Sequence, residues 1–153
     1  MCNNNNIIPS ICFSDPTSRE SFEWNGTKIK KFIGKETEVV IPEGTTEIGE
    51  NAFRGCSSLT SVMIPETVTE IGDEAFSGCS SLTSVVIPES VTEIGYYAFS
   101  GCRSLTSVVI PKGPQLKGRV FWACGPNLTI HAPVGSAAEK YAEDYEITHE
   151  VIS

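Results

Sequence analysis

Apolar and polar positions alternate along this chain over short stretches, and then the whole pattern restarts. In "LTSVVIP" Val85 and Ile87 point one way while Ser84 and Val86 point the other, the period-two pattern of a short strand closed by proline. The strand recurs as Val62/Ile64 and as Val108/Ile110. A second short extended piece, "VTEIG", places Val91 and Ile94 inward before a glycine turn, and "AFSGC" offers Ala98 and Phe99 as the packing residues of a tight helical turn.

The restart keeps a 23-residue register: Ile41, Ile64, Ile87 and Ile110, each before a proline; Gly49, Gly72, Gly95 and Gly118; Leu59, Leu82, Leu105 and Leu128. A fixed period of this size signals a solenoid, because one repeat cannot bury its apolar side alone and must stack on its neighbours. Coils hydrogen-bonded as strands sit about 4.8 Å apart, so the core is expected to be a set of ladders, Leu on Leu, Val on Val and Phe on Phe.

The ends break the pattern as caps should. In "FEWNGTKIKKF" the Asn25-Gly26 dipeptide favours a two-residue hairpin turn. Counting outward pairs Trp24 with Thr27, Glu23 with Lys28 and Phe22 with Ile29, which puts Phe22, Trp24 and Ile29 on one face. At the other end, "SAAEKYAEDY" opens with Ser136 and Glu139 at capping-box spacing and continues with Ala137, Tyr141 and Tyr145 at i, i+4 intervals, an amphipathic helix that closes the array. The fourth coil is degenerate, with Lys117 at the isoleucine position of Ile94 and Trp122 at the phenylalanine position of Phe99.

These residues carry a family resemblance. The pattern Cys79-x-x-Leu82-x-x-Val85-x-Ile87-x-x-x-Val91-x-x-Ile94-Gly95-x-x-Ala98-Phe99-x-x-Cys102 resembles the BspA-type (Treponema pallidum-type) leucine-rich repeat, closely over residues 41 to 110 and more loosely over about 20 to 150. The resemblance implies an α/β repeat solenoid, right-handed and curved, in proteins found on bacterial or protozoan surfaces. Some members act as adhesins for host matrix or clotting proteins or for other cells. The organisation expected is a flexible segment 1–19, a hairpin cap 20–40, repeats 41–132 and a helical cap 133–150.

Charge narrows the partners. The 11 basic residues against 19 acidic ones leave a net charge of -8, which repels nucleic acid and anionic membranes. No run of about eighteen apolar residues is present to span a bilayer. The opening "MCNNNNIIPSICFSDPTSRE" lacks a basic leader and a continuous apolar core, so it does not read as a signal peptide, and Cys2 has no apolar stretch before it for a lipoprotein anchor. The expectation is a chain that is not exported or a fragment of one that is; the family resemblance implies the cell surface or secretion.

Several constellations invite chemistry. Cys56, Cys79 and Cys102 stand in register, but a straight ladder of three does not give tetrahedral zinc geometry, and parallel side-chain vectors hold the Cβ atoms too far apart for a disulfide, so they read as buried free thiols. Cys124 sits one position early, and Cys2 and Cys12 lie in the tail. Glu43, Glu66 and Glu89 form one acidic column and Glu47, Glu70 and Glu93 another. Like charges at strand spacing must be solvated or share a cation; solvation is the reading adopted, with weak calcium binding as its alternative. His131 and His149 lie in no nucleophile motif, so no catalytic residues, metal or cofactor are assigned.

The outward strand positions are the candidate site. Thr60, Ser61 and Met63, then Thr83, Ser84 and Val86, then Thr106, Ser107 and Val109 make a nearly uncharged strip with an apolar column along its middle. Solenoids bind through extended concave surfaces of this kind. Tyr96 and Tyr97 stand where other repeats carry acidic or polar residues and are possible loop contacts. The function expected is a non-enzymatic protein-binding module, adhesin-like, for a host matrix, plasma or other cell-surface protein; weak self-association is left open by the sequence. The alternative is a spacer or scaffold array with no ligand of its own.

Overall fold

A solenoid coil must satisfy its backbone through its neighbours, since strands of two or three residues cannot form a stable sheet alone. The computed structural model, which describes residues 15–152, shows how this is done. In chain order the strands are β1 (Phe22–Asn25), β2 (Lys28–Phe32), β3 (Glu38–Val40), β4 (Glu47–Ile48), β5 (Ser61–Met63), β6 (Glu70–Ile71), β7 (Ser84–Val86), β8 (Glu93–Ile94), β9 (Ser107–Val109), β10 (Gln115–Leu116) and β11 (Thr129–Pro133), followed by helix α1 (Ala137–Asp144) and β12 (Thr148–Ile152). They form two six-stranded sheets, β1-β2-β4-β6-β8-β10 and β12-β11-β9-β7-β5-β3. Every pairing is parallel except the β1–β2 hairpin. Each coil lends one strand to each sheet, as the two extended pieces of the repeat predict.

Between the sheets the repeated side chains stack on themselves. Phe53, Phe76, Phe99 and Phe121 form a column with ring centroids 4.8, 5.1 and 5.6 Å apart and interplanar angles of 11°, 2° and 14°. At the near end Phe32 continues the stack on Phe53 at 5.2 Å and 22°, with Phe22 edge-on to Phe53 at 72°; at the far end Tyr141 closes the column edge-on, at 73° to Phe121. Leu82, Val85, Ile87, Val91, Ile94, Ala98 and Phe99 of one coil are all buried, as the alternation predicts. The "AFSGC" stretch is a run of hydrogen-bonded turns, Ser100 N–H to the Tyr97 carbonyl at 3.1 Å and Cys102 N–H to that of Phe99 at 3.4 Å. The glycine of each "IG" turn lies against the preceding coil; a Cβ on Gly95 would stand 2.6 Å from the Asp73 backbone nitrogen.

The thiols close the same ladder. Cys79, Cys102 and Cys124 donate S–H to the carbonyls of Phe53, Phe76 and Phe99, at 3.2, 3.2 and 3.1 Å. Cys79 and Cys102 are buried and Cys56 and Cys124 half-buried. Burial pushes the Cys79 thiol up to about 12 and the Cys124 thiol up to about 11, and it raises Cys102 and Cys56 as well.

Three details depart from the sequence expectation. First, the hairpin turns on Gly26-Thr27, so Asn25 pairs with Lys28 and Trp24 with Ile29; after a bulge, Glu23 faces Lys31 and Phe22 faces Phe32. Gly26 carries the positive φ of 63°, and a turn with glycine at its first central position moves the register by one. The apolar face still gathers Phe22, Trp24 and Ile29, with Phe32 added.

Second, the fourth coil is one residue short. Leu116, not Lys117, pairs with Ile94, and Phe121, not Trp122, stacks on Phe99; Trp122 is 53% exposed. The early Cys124 belongs to the same shift, as its bond to Phe99 shows.

Third, the far cap is more than a helix. Ser136 caps α1 by accepting from Glu139 N–H at 3.1 Å, and Glu139 reaches back to Gly135 N–H at 2.9 Å. Its buried face is Ala138, Tyr141 and Ala142, while Ala137 and Tyr145 stay exposed. The chain then returns as β12 to pair in parallel with β11.

At the near end, Thr17 accepts from Val40 N–H through its hydroxyl at 2.8 Å and donates its own N–H to the Val40 carbonyl at 2.9 Å, covering the free edge of β3. Residues 1–14, with Cys2 and Cys12 and most of the segment 1–19 expected to be flexible, lie outside the described residues.

Phe76 is held by rings on both sides, so Phe76→Ala is expected to cost about 3–5 kcal/mol in urea unfolding. For the thiols, peptide mapping after brief alkylation at pH 8 should find Cys79 and Cys102 unmodified in the folded protein, because their thiolates are suppressed and their sulfurs covered. Both should react within the same interval in denaturant.

Candidate functional site

The outer face of the second sheet is built by alternation. Val39, Val62, Val85 and Val108 turn inward, so their neighbours must turn outward. Across the sheet these outward residues align as one column, Val40, Met63, Val86, Val109, His131 and Glu150. A second column runs Glu38, Ser61, Ser84, Ser107, Thr129 and Thr148. The outward row runs past both ends of the expected strip, to Val40 on one side and to His131 and Glu150 on the other. Val40 lies one full repeat before Met63 and was legible from the period. His131 was hidden by the shortened coil; its Nδ1 stands 3.4 Å from the Glu150 carboxylate, and together they give the apolar column a polar end.

The threonines of the strip have another job. Thr60, Thr83 and Thr106 are exposed, yet their hydroxyls donate to the backbone carbonyls of Thr37, Thr60 and Thr83, at 3.0, 3.4 and 3.2 Å. They stitch coil to coil. Ser61 and Ser107 are half-buried and Ser84 is exposed.

Val86 stands apart in its column: it is 63% exposed, while Met63 and Val109 are half-buried. The cause is a parting of the sheet. β3–β5, β7–β9 and β9–β11 each pair at three positions, whereas β5 and β7 pair at one, Ser61 with Ser84. The bonds Ile41 N–H to Met63, Ile87 N–H to Val109 and Ile110 N–H to His131 measure 3.0, 2.8 and 2.9 Å; among the described residues no equivalent bond joins Ile64 N–H to the Val86 carbonyl. On the opposite side the same two coils remain closed, with β6 and β8 paired and Phe76 parallel to Phe99. The coils thus diverge toward the second sheet only. The gap opens a cleft of about 700 Å³, with Val62 and Ile64 among its lining, Met63, Pro65, Val86 and Pro88 beside them, and Glu43 and Glu66 also along it.

Tyr96 and Tyr97 do not join this surface. They follow β8 in the other sheet, where the Tyr96 N–H is held by Asp73 Oδ1 at 2.9 Å and its ring lies 5.9 Å from Lys117 Nζ. Both rings are exposed. The acidic column of that sheet is bracketed by cations: Lys28 binds Glu47 at 2.7 Å and Lys117 binds Glu93 at 3.2 Å. Glu70, between them, has a carboxylate on each side. Partial burial and then its Glu93 and Glu47 neighbours raise its pKa. Among the described residues no cluster of His, Cys, Asp or Glu is arranged to hold a metal ion, and no helix is long and apolar enough to cross a membrane.

For Glu70 the sign follows from linkage. A carboxyl whose folded pKa lies above its unfolded value binds its proton more tightly in the folded state, so it adds stability as pH falls and removes it as pH rises. Glu70→Gln is expected to raise Tm at pH 7, with the advantage shrinking toward pH 4.5, as followed by thermal unfolding across that range.

The comparisons with known proteins agree with this geometry. The family described as BspA type leucine rich repeat region matches residues 30–136 in six copies. The T. pallidum leucine rich repeat protein is similar at 29% identity over 79% of this chain and 73% of that one, with a TM-score of 0.62. A leucine-rich repeat protein from Bacteroides ovatus is similar at 36% identity over 76% of this chain and 30% of that one, with a TM-score of 0.65. A leucine rich cell surface protein from Faecalibacterium prausnitzii shares the fold at 24% identity over 75% of this chain and 37% of that one, with a TM-score of 0.59. The chain thus spans about a third of the length of the last two. No match was found among curated proteins.

Proposed function

The chain belongs to the BspA-type leucine-rich-repeat family, and on that premise we propose that it is an adhesin-like module that holds a protein partner on the outer face of its second sheet. Proteins of this family and fold are interaction or surface repeat proteins and serve as non-enzymatic binding modules. The observation that carries the reading is Val86, a large aliphatic side chain 63% exposed in the middle of a nearly uncharged row. A β-branched residue that merely suited a strand would be covered by its neighbours in the column, as Val109 is in part. Apolar area left open on a rigid face is what a partner buries. The partner class is a matrix, plasma or cell-surface protein, and the location is the cell surface, in line with the described character of the F. prausnitzii relative.

A spacer without a ligand is the second reading, and the threonine ladder favours it, because those hydroxyls are consumed by the coil backbone. The two readings separate in a binding assay against a panel of purified matrix and plasma proteins, with circular dichroism to confirm folding. Wild type is expected to retain at least one protein, and Val86→Lys, placed at an exposed site the fold does not need, is expected to lose at least tenfold in affinity. Retention by neither makes the array a spacer.

A further inference from the structure

The parted junction between β5 and β7 differs from the rest of the face in chemistry as well as in shape. Its lining exposes more apolar than polar surface, and its only ionisable members among the described residues are Glu43 and Glu66. Both carboxylates are exposed. Neither forms an ion pair among the described residues, whereas Glu47 and Glu93 on the opposite sheet hold Lys28 and Lys117. Among the described residues no lysine, arginine or histidine lines the cleft. The Ile64 N–H and the Val86 carbonyl, each bonded at the equivalent junctions, are left without their usual partner across this gap.

We propose that this cleft is a docking site for a partner segment carrying a bulky apolar side chain next to a lysine or arginine. The apolar group fills the gap over Val62 and Ile64, and the cation meets Glu43 and Glu66. This rests on the reading of the outer face as a protein-binding surface and names the chemistry of the residue pair it takes. Three features make the match. A cleft of about 700 Å³ lies in the range that takes a drug-sized group, so it admits a few side chains of an extended segment rather than a whole folded surface. The two acids along it carry no cation among the described residues, so an incoming one meets two solvated carboxylates instead of displacing a lysine. The parted ladder also offers a backbone donor and acceptor to the main chain of an extended segment, the mode by which strands add to open sheets. An anionic segment would meet the same carboxylates and the chain's net charge of -8, and it is rejected.

The alternative occupants are an uncharged segment, of which this chain's own residues 1–14 are an example since Pro16 also lines the cleft, and a second copy of the chain. The test uses isotope-labelled full-length protein titrated with three synthetic peptides, Ac-Gly-Lys-Phe-Lys-Gly-NH2, its Glu-Phe-Glu counterpart and its Lys-Gly-Lys counterpart, read by amide chemical shifts. The expected result is saturable binding of the Lys-Phe-Lys peptide alone, with the largest shifts at Ile64, Val86 and their neighbours. Glu43→Gln/Glu66→Gln should weaken it about fivefold, as two partly screened ion pairs would, while leaving the thermal unfolding curve unchanged.

Equal binding of the Lys-Phe-Lys and Glu-Phe-Glu peptides overturns the proposal, since the site is then merely apolar. Shifts confined to residues outside the cleft overturn it too. Binding that appears only after residues 1–14 are removed assigns the cleft to the chain's own segment, and shifts that grow with protein concentration without peptide assign it to a second copy. Each of those outcomes likewise overturns it. If the Lys-Phe-Lys peptide fails while Val86→Lys still abolishes retention of a panel protein, the cleft inference falls and the binding-face reading stands.

Discussion

Everything in this fold depends on the hydrogen-bond register between one coil and the next. A strand of two residues has no independent stability, and its backbone is satisfied only if the neighbouring coil presents its groups at matching heights. Once that condition holds for both sheets, equivalent side chains must lie over one another at strand spacing. The parallel phenylalanine column, the thiol-to-carbonyl bonds and the threonine-to-carbonyl bonds all follow from it. The same condition puts Glu70 between two carboxylates, an arrangement that no local preference would choose. Lys28 and Lys117 settle the ends of that column but leave its middle uncompensated.

Most of this was legible in the residues because a 23-residue period forces equivalent environments. The inward set, the two strands per coil, the outward row from Thr60 to Val109 and the placement of both caps could all be read from alternation and spacing. What escaped was whatever depends on a single residue of register. The hairpin turns on Gly26-Thr27 because the positive φ falls at the first turn position, and dipeptide preference alone points one place earlier. The fourth coil drops a residue in its turn, so Leu116 and Phe121 take positions that a strict count gives to Lys117 and Trp122; the early Cys124 was the visible trace. Strand β12 went unseen because its pattern, "THEVI", pairs along one edge only and buries little.

The site was legible in outline and not in its distinguishing feature. Periodicity says that Met63, Val86 and Val109 share a column, and it implies that they share an environment. They do not, because the coils diverge at one junction while staying closed on the other side. Met63 is the one unbranched member among the valines of that column, but nothing in its spacing announces a parting. Departures from an ideal repeat are where one coil differs chemically from the next, and this one couples an apolar opening to two acids that form no ion pair among the described residues.

The shortened fourth coil has a consequence for how such a chain finds its native state. Near-identical repeats carry an inherent ambiguity, since a coil displaced by one whole repeat would pair almost as well as the correct one, and misassembly of this kind is characteristic of repeat proteins. Among the described residues a coil of different length, closed by α1 and β12, has no equivalent elsewhere in the array, and the hairpin at the other end has none either. A chain slipped by one repeat would keep most of its ladder contacts but would set the two caps against the wrong coils. The irregular coil thereby serves as an index mark, selecting one alignment from several that the repeats alone would accept.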